Sequence, residues 1–465
     1  MTSTLIKNAM IALFDRERTF IERGWIFIQN DRIRQIGYDN QNQPEADFVY
    51  DLEHHLVMPG FVNIHAHLQQ YFRGLYELIG DFYQVNLPLE GYRLDEDMET
   101  LGLASAAEFV YGGCTTSLVI YTYPEGFAKA VKKTGNRVYL ASDIEEVDLK
   151  EMQKGKYSFL PEKGKAAFNR AVHLYEDWEG AAEGRIRTLM CPKATDLVLP
   201  ETYQKVKEFA KERNLRITTH LAQSVREYQQ VMKLYDLSPT EYLANLGILD
   251  NQLIAAHCVY TSAQDEMMIL DSGASIAQST FISAPFMRWK DMGIPVGLGT
   301  DDMFHDILQM LRSTRQAQQH RSSAVIGIDQ MLASDRFTSR LSPYELLEMA
   351  TIGSAKAIGM DSDIGSLEIK KKADLIAVDF NNPLLSPTSD PITSLLLYGN
   401  SGNIDYVMVD GKMIKDPSGM INFNLPIALE QAQNRVNLIV DKFFFDFPEQ
   451  KKRWQKKLSY KEGEA

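Results

Sequence analysis

From Pro59 onward the chain repeats one rhythm: a short apolar run, a loop, then an amphipathic segment. The apolar runs fall at 61–64, 115–120, 137–141, 186–190, 215–219, 253–256, 274–277 and 294–298. Runs this short, bounded by turn residues, read as buried strands rather than helices. The segments between them carry helical spacing, as in 201–213 and 239–246. Ser238-Pro239 opens the second of these with a capping serine and a proline at the first helical position. Strands alternating with helices dictate a parallel sheet, and eight of them dictate a closed (β/α)8 TIM barrel of the α/β class.

The ends of the chain have a different texture. Residues 10–14, 24–28 and 33–36 are short alternating strands, with Asn30-Asp31 as hairpin chemistry between two of them. Alternation returns at 373–379 and 406–412. The expected organisation is therefore a small composite β-sandwich built from 1–57 and 366–425, a barrel over 58–365, and a helical tail over 426–465. A chain of 465 residues is long enough for a barrel with such an appendage. Its net charge of −13 argues against nucleic acid and against an anionic membrane surface as partners. The first twenty residues carry Lys7, Asp15, Arg16, Glu17 and Arg18, so no apolar signal-peptide core is expected there, and no stretch approaches a membrane span. Cys114, Cys191 and Cys258 are odd in number and lie in or beside apolar runs, as buried thiols of a cytoplasmic protein do.

In a barrel the chemistry sits at the carboxyl ends of the strands. The first strand ends in His65-Ala66-His67, and side-chain alternation turns both imidazoles to one side. The fifth ends in His220, the sixth in His257 and the eighth in Asp301. Singly, each is an ordinary loop-satisfying histidine or helix-capping aspartate; gathered on one face, they are a metal site. His65, His67, His220 and Asp301 can hold one divalent ion and leave a position for water. The ion lowers the pKa of that water and makes hydroxide available for attack on an sp² carbon. His257 is placed to orient the water, and Asp301 to take its proton and pass it to a leaving nitrogen. Zinc is the expected ion, although imidazole and carboxylate accept iron and manganese as well and do not choose among them.

The segments Met58-Pro59-Gly60-Phe61-Val62-Asn63-Ile64-His65-Ala66-His67, Gly113-Cys114-Thr115-Thr116, Thr219-His220-Leu221-Ala222, Ala256-His257-Cys258 and Gly299-Thr300-Asp301 occur in this order. With Arg73-Gly74, Gly365-Ser366-Leu367-Glu368-Ile369 and Lys372-Ala373-Asp374-Leu375, the chain resembles the amidohydrolase superfamily over roughly residues 1 to 415. It resembles in particular the branch of cytosine, guanine and S-adenosylhomocysteine deaminases and triazine hydrolases. The resemblance implies hydrolysis of a C–N, sometimes C–Cl, bond of an N-heterocycle on one zinc or iron ion. It also makes a homodimer, or another homo-oligomer, the expected assembly.

The departures from that branch concern the substrate. Gln223 stands where a glutamate commonly protonates a ring nitrogen, and an amide cannot deliver that proton. Glu227, four residues on, is a carboxyl that can compensate, but on a helix it reads as a solvated residue. Lys193 replaces the histidine at the end of the fourth strand, Gln278-Ser279-Thr280 replaces a histidine and asparagine after the seventh, and Asp302 stands where glycine is common. Gln69, Arg73, Lys193, Gln223, Gln278 and Asp302 are accordingly the candidate substrate contacts. Phe286 and Trp289 are candidates either for the pocket wall or for the core, and His305 is a candidate residue of the mouth. The leading reading is a cytoplasmic aminohydrolase of a small N-heterocyclic compound. Two alternatives stand beside it: an amide, carbamate, urea or cyclic-imide hydrolase, binuclear if Lys193 is carboxylated, and a non-catalytic barrel that only binds a ligand.

Overall fold

The computed structural model describes residues 2–68, 73–75, 89, 92, 97–152, 156–279, 284–302, 304–325 and 341–457. Strands from both ends of the chain form one nine-stranded sheet: β1 (Ser3–Ala12), β2 (Phe20–Gln29), β3 (Arg32–Tyr38), β4 (Phe48–Asp51) and β5 (His55–Pro59). The barrel strands follow: β6 (Phe61–Ala66), β7 (Cys114–Tyr121), β8 (Arg137–Ile144), β9 (Ile186–Thr188), β10 (Cys191–Pro192), β11 (Ile217–Leu221), β12 (Leu253–His257), β13 (Ser275–Gln278) and β14 (Val296–Leu298). The chain then returns to the first sheet with β15 (Leu375–Asp379), β16 (Ile404–Val409), β17 (Lys412–Asp416) and β18 (Gly419–Met420).

The nine-stranded sheet runs β18-β17-β16-β15-β5-β1-β2-β3, with β4 also paired to β1. Its strands are rich in β-branched residues, which suit a pleated surface. Ile6, Ile11, Ile26, Ile28, Ile33, Val57 and Leu375 are buried together on it, and each such side chain stabilises the fold by about 1.5–3 kcal/mol. The expected hairpin at Asn30-Asp31 joins β2 to β3, with Asn30 in the left-handed region at φ 56°. β5 passes through Gly60 directly into β6. A Cβ at Gly60 would lie 2.1 Å from Thr115 Cγ2, so only glycine lets the two strands come this close.

The barrel strands are all parallel, in two hydrogen-bonded sets, β6-β7-β8 with β9 and β10, and β11-β12-β13-β14. Backbone bonds join the sets at both seams. At one, Thr218 N donates to Met190 O (2.9 Å) and His220 N to Lys193 O (3.1 Å); at the other, Thr300 N donates to His65 O (2.9 Å) and His67 N to Asp301 O (3.1 Å). Val62, Ile64, Leu118, Ile120, Tyr139, Ala141, Leu189, Cys191, Ile254, Ala256 and Ala277 pack as one buried cluster, the filled interior that a barrel of this size requires. The three cysteines are buried and unpaired, and burial raises each thiol pKa.

Below the barrel, at the amino end of β8, the buried Arg137 guanidinium meets Asp374 and Asp410 from the nine-stranded sheet, and Lys372 also reaches Asp410 (2.7 Å). The tail is helical as expected. Asn424 caps a helix over Leu425–Asp446, Pro426 sits in its first turn, and it stops before Pro448. It packs on the helix Asp97–Tyr111, to which an Arg435–Asp97 ion pair ties it. Among the described residues no helix is long and apolar enough to cross a membrane.

Candidate active site

Four imidazoles and one carboxylate converge at the carboxyl ends of β6, β11, β12 and β14. The His65 ring centroid lies 4.9 Å from those of His67 and His220 and 5.0 Å from that of His257. Asp301 Oδ1 is 3.6 Å from His67 Nε2 and 3.8 Å from His65 Nε2, while its Oδ2 is 4.0 Å from His257 Nε2. All four rings are buried. Burial first, then the neighbouring imidazoles, drive the His65 and His257 pKa values far down; burial likewise lowers those of His67 and His220. The rings are therefore neutral, with lone pairs to offer.

Two of these lone pairs have a fixed direction. His67 Nδ1 lies 3.0 Å from Ile120 O and His220 Nδ1 2.5 Å from Lys193 O. A carbonyl can only accept, so each Nδ1 carries the proton and each Nε2 is bare. Those two bare nitrogens face each other across 3.2 Å. No proton lies between them, and the contact is repulsive unless a cation fills it. His65 Nε2 and His257 Nε2 are buried without a hydrogen-bond partner among the described residues. Ligand nitrogens about 2.0–2.1 Å from a tetrahedral zinc stand about 3.3–3.4 Å apart, close to the spacing here. The donor set fits a divalent ion: His65, His67 and His220 form one triplet able to hold a metal, and His65, His257 and Asp301 another.

The backbone is strained around this cluster. His257 (φ 76°), Cys258 (φ 51°), Asp301 (φ 60°) and Ala222 (φ 49°) all occupy the left-handed region without being glycine. Each costs on the order of 1–3 kcal/mol and persists only where the surroundings over-determine it. Part of that determination is visible. Asn63 Nδ2 donates to Thr300 Oγ1 (2.7 Å) while Asn63 Oδ1 accepts from His65 N (3.2 Å), tying the first and last barrel strands together. Gly299 allows the same seam to close, because a Cβ there would lie 2.6 Å from His65 Cβ. Ser279 Oγ sits 3.2 Å from His257 Nδ1 and orients that ring.

The candidate substrate contacts divide. Lys193 rises beside the imidazoles, and its ammonium is clamped by Asp143 (3.2 Å) and Glu145 (3.1 Å), two carboxylates at the end of β8. Gln278 is buried at the end of β13, while Gln223 and Asp302 are half-buried beside the ligand-bearing loops. Arg73 is exposed and paired with Glu108 on the outer helix Asp97–Tyr111. Gln69 and Thr280 lie outside the described residues.

Several expectations are corrected. Glu227 is not solvated: it is 1% exposed, and its carboxyl accepts from Thr195 Oγ1 (2.5 Å), Ala222 N (3.0 Å) and Gln223 N (2.8 Å). Burial, then the charge of Asp196, pushes its pKa up to about 8. His305 is not at the mouth but fully buried, stacked on Phe109 at 3.9 Å and bonded to Thr300 Oγ1 (2.8 Å). Of the two readings of Phe286 and Trp289 the core one holds, and Trp289 Nε1 donates to Glu266 (3.0 Å). The sequence reading passed over Asn63, Asp143, Glu145 and Ser279 as site residues. A signal existed for Asp143: the run starting at 137, followed past 141 to Ile144, alternates Tyr139, Ala141, Asp143 and ends the strand on a carboxylate.

Comparison with known proteins adds the following. The profile of the Amidohydrolase family matches residues 56–414. A 5'-deoxyadenosine deaminase of Methanobrevibacter smithii is 30% identical over 429 residues, covering 89% of this chain and 92% of that protein. A 5-methylthioadenosine/S-adenosylhomocysteine deaminase of Desulfitobacterium hafniense is 28% identical over 450 residues, covering 93% and 98%. Among solved structures, an adenosine deaminase from Xanthomonas campestris with bound zinc superimposes with a TM-score of 0.82 at 19% identity, over 95% of this chain and 99% of that one. At that identity the structural match speaks for the fold.

Proposed function

This chain belongs to the amidohydrolase family, and from that membership and the strand-end cluster we propose a metal-dependent aminohydrolase that releases ammonia from a small N-heterocyclic compound. One observation carries the reading: His67 and His220, each with Nδ1 tied to a carbonyl, aim bare Nε2 atoms at one another across 3.2 Å. Such a pair is destabilising by itself and is resolved by a cation. His65, His67, His220 and Asp301 are the proposed ligands, and zinc the proposed metal. A divalent ion there supplies Lewis acidity and lowers the pKa of water towards neutrality. His257, with Nδ1 held by Ser279, orients the attacking water. Asp301 takes the proton and passes it to the leaving nitrogen. Gln223 hydrogen-bonds the ring without donating a proton to it.

The division into a β-unit (1–57 with 366–425), a barrel (58–365) and a tail (426–465) is part of the same proposal, as is a cytoplasmic location. The binuclear alternative meets an electrostatic objection. A carboxylated Lys193 would place a negative group against Asp143 and Glu145, which now lie 3.2 and 3.1 Å from its ammonium. The test is ammonia release by metal-loaded protein from 5'-deoxyadenosine, 5-methylthioadenosine, S-adenosylhomocysteine, guanine and cytosine. Release from at least one, lost in His257→Ala, is expected. No release from any of them, with opening of a cyclic imide such as hydantoin instead, would overturn the reading.

A further inference from the structure

We infer that Asp143 is a substrate-contacting residue that selects a ligand bearing an N–H donor edge, such as an amidine-like N–C–N group, over an acidic one. The inference rests on the mouth of the barrel being the active site.

The placement comes from the strand. Tyr139 and Ala141 belong to the cluster that fills the barrel interior. Side chains alternate along β8, so Asp143 is the next residue turned inward, above that cluster. It stands opposite Cys191 in register, and Lys193 follows two residues later on the same face. The Lys193 carbonyl holds His220 Nδ1. Lys193 thus reaches the ligand-bearing imidazoles through its backbone and Asp143 through its side chain.

Asp143 is 5% exposed. Its Oδ2 faces Lys193, and its Oδ1 is buried with no hydrogen-bond partner among the described residues. A carboxylate oxygen left so carries a desolvation cost that a donor from a ligand would remove. The surrounding charges say which ligand. Glu145 is bound by Lys163 (2.9 Å) as well as Lys193 (3.1 Å). Among the described residues two lysines therefore face two carboxylates, and the charge of Lys193 is already matched. A carboxylate or phosphate brought to Lys193 would also meet Asp143 and Glu145. A neutral or cationic group with N–H donors meets an open acceptor. Lys193 holds Asp143 in place and is not a receptor for an acidic substrate.

The experiment is calorimetric titration of benzamidine, a planar amidinium probe, into metal-loaded wild type, Asp143→Asn and Asp143→Ala, with metal content and melting temperature measured on each. Benzamidine binding to wild type, weakened about tenfold or more in both variants at unchanged metal content, is expected. Asparagine keeps the shape, so a variant that folds is available even if alanine does not. Affinity within twofold of wild type, no measurable binding to wild type, or a parallel loss of metal would each overturn the inference. Binding needs no turnover. Asp143-dependent binding without ammonia release from any heterocycle would sink the aminohydrolase reading alone, and ammonia release indifferent to Asp143→Asn would sink only this one.

Discussion

The two ends of β8 carry buried charge in opposite conditions. At the amino end Arg137 is enclosed by Asp374 and Asp410, with Thr116 Oγ1 at 3.2 Å. Asp374 in turn accepts from Asp410 N (2.9 Å), and Lys372 reaches Asp410. None of Arg137, Asp374 and Asp410 has a buried side-chain polar atom without a partner. At the carboxyl end, six residues on, Asp143 Oδ1 is without a hydrogen-bond partner among the described residues, as are the Nε2 atoms of His65 and His257. The difference is that between a joint and a socket. Satisfied polar groups lock the nine-stranded sheet to the barrel floor, and the groups at the top keep open hydrogen-bonding positions among the described residues. Barrels in general separate stability from chemistry between these two faces.

Breaking the joint should have the largest effect on stability. Arg137→Ala leaves the buried Asp374 carboxylate without its cation and Asp410 with Lys372 alone, a loss of about 3–5 kcal/mol. Thermal unfolding should show it as a large fall in melting temperature, while whatever folds keeps its metal. An unchanged melting temperature would mean that the lower cluster is not a joint.

Glu227 sharpens the contrast, because it lies near the socket yet is satisfied like the joint. Glu227→Ala strips the Ala222 and Gln223 amides of their acceptor, at about 1–3 kcal/mol for each buried group left unsatisfied. Glu227→Gln retains an acceptor and should lose less. The pH dependence has a definite sign. Burial, with Asp196, raises the folded pKa to about 8 from an ordinary 4.5, so the folded state holds the proton more tightly. Its contribution is greatest below 4.5 and is lost as pH rises through about 8. Melting temperature followed over that range should decline in wild type, and less steeply in Glu227→Gln.

These residues also mark where the sequence was legible. Strand-end histidines could be found because a parallel barrel sends every strand's carboxyl end to one face; the reading required only the eight apolar runs and the residue that closes each. Asp143 escaped because its strand was ended three residues too early, at 141 instead of 144. Glu227 escaped for another reason. A charged residue in the first turn of a helix is ordinarily solvated, and nothing local announces that this turn is folded back under the loop after β11, where Ala222 adopts φ 49°. Lys193 was recognised as a site residue but its electrostatic sense was not, since the two acids that neutralise it come from a different strand. Periodicity reveals which face a residue joins; the partners it meets there depend on register between strands distant in sequence.

The smallest expected effect belongs to a surface cap that neither cluster touches. Against the opposing effect of burial, Lys290 and Ser342 hold the Glu345 carboxyl down to about 2 from 4.5. Its contribution is therefore complete above 4.5 and lost as pH falls towards 2. Solvent screening keeps it to about 0.5–1 kcal/mol. Melting curves in that acid range should lose a shallow slope in Glu345→Gln and leave the comparison between the two ends of β8 untouched.

The central claim is that the upper cluster holds one divalent ion and that Lys193 is not a ligand. Elemental analysis of wild type, His67→Ala and Lys193→Ala, purified with carbon dioxide excluded and again with it restored, tests it directly. About one metal per chain is expected in wild type and Lys193→Ala under both conditions, with little or none in His67→Ala. About two metals per wild-type chain, falling in Lys193→Ala or without carbon dioxide, would contradict it.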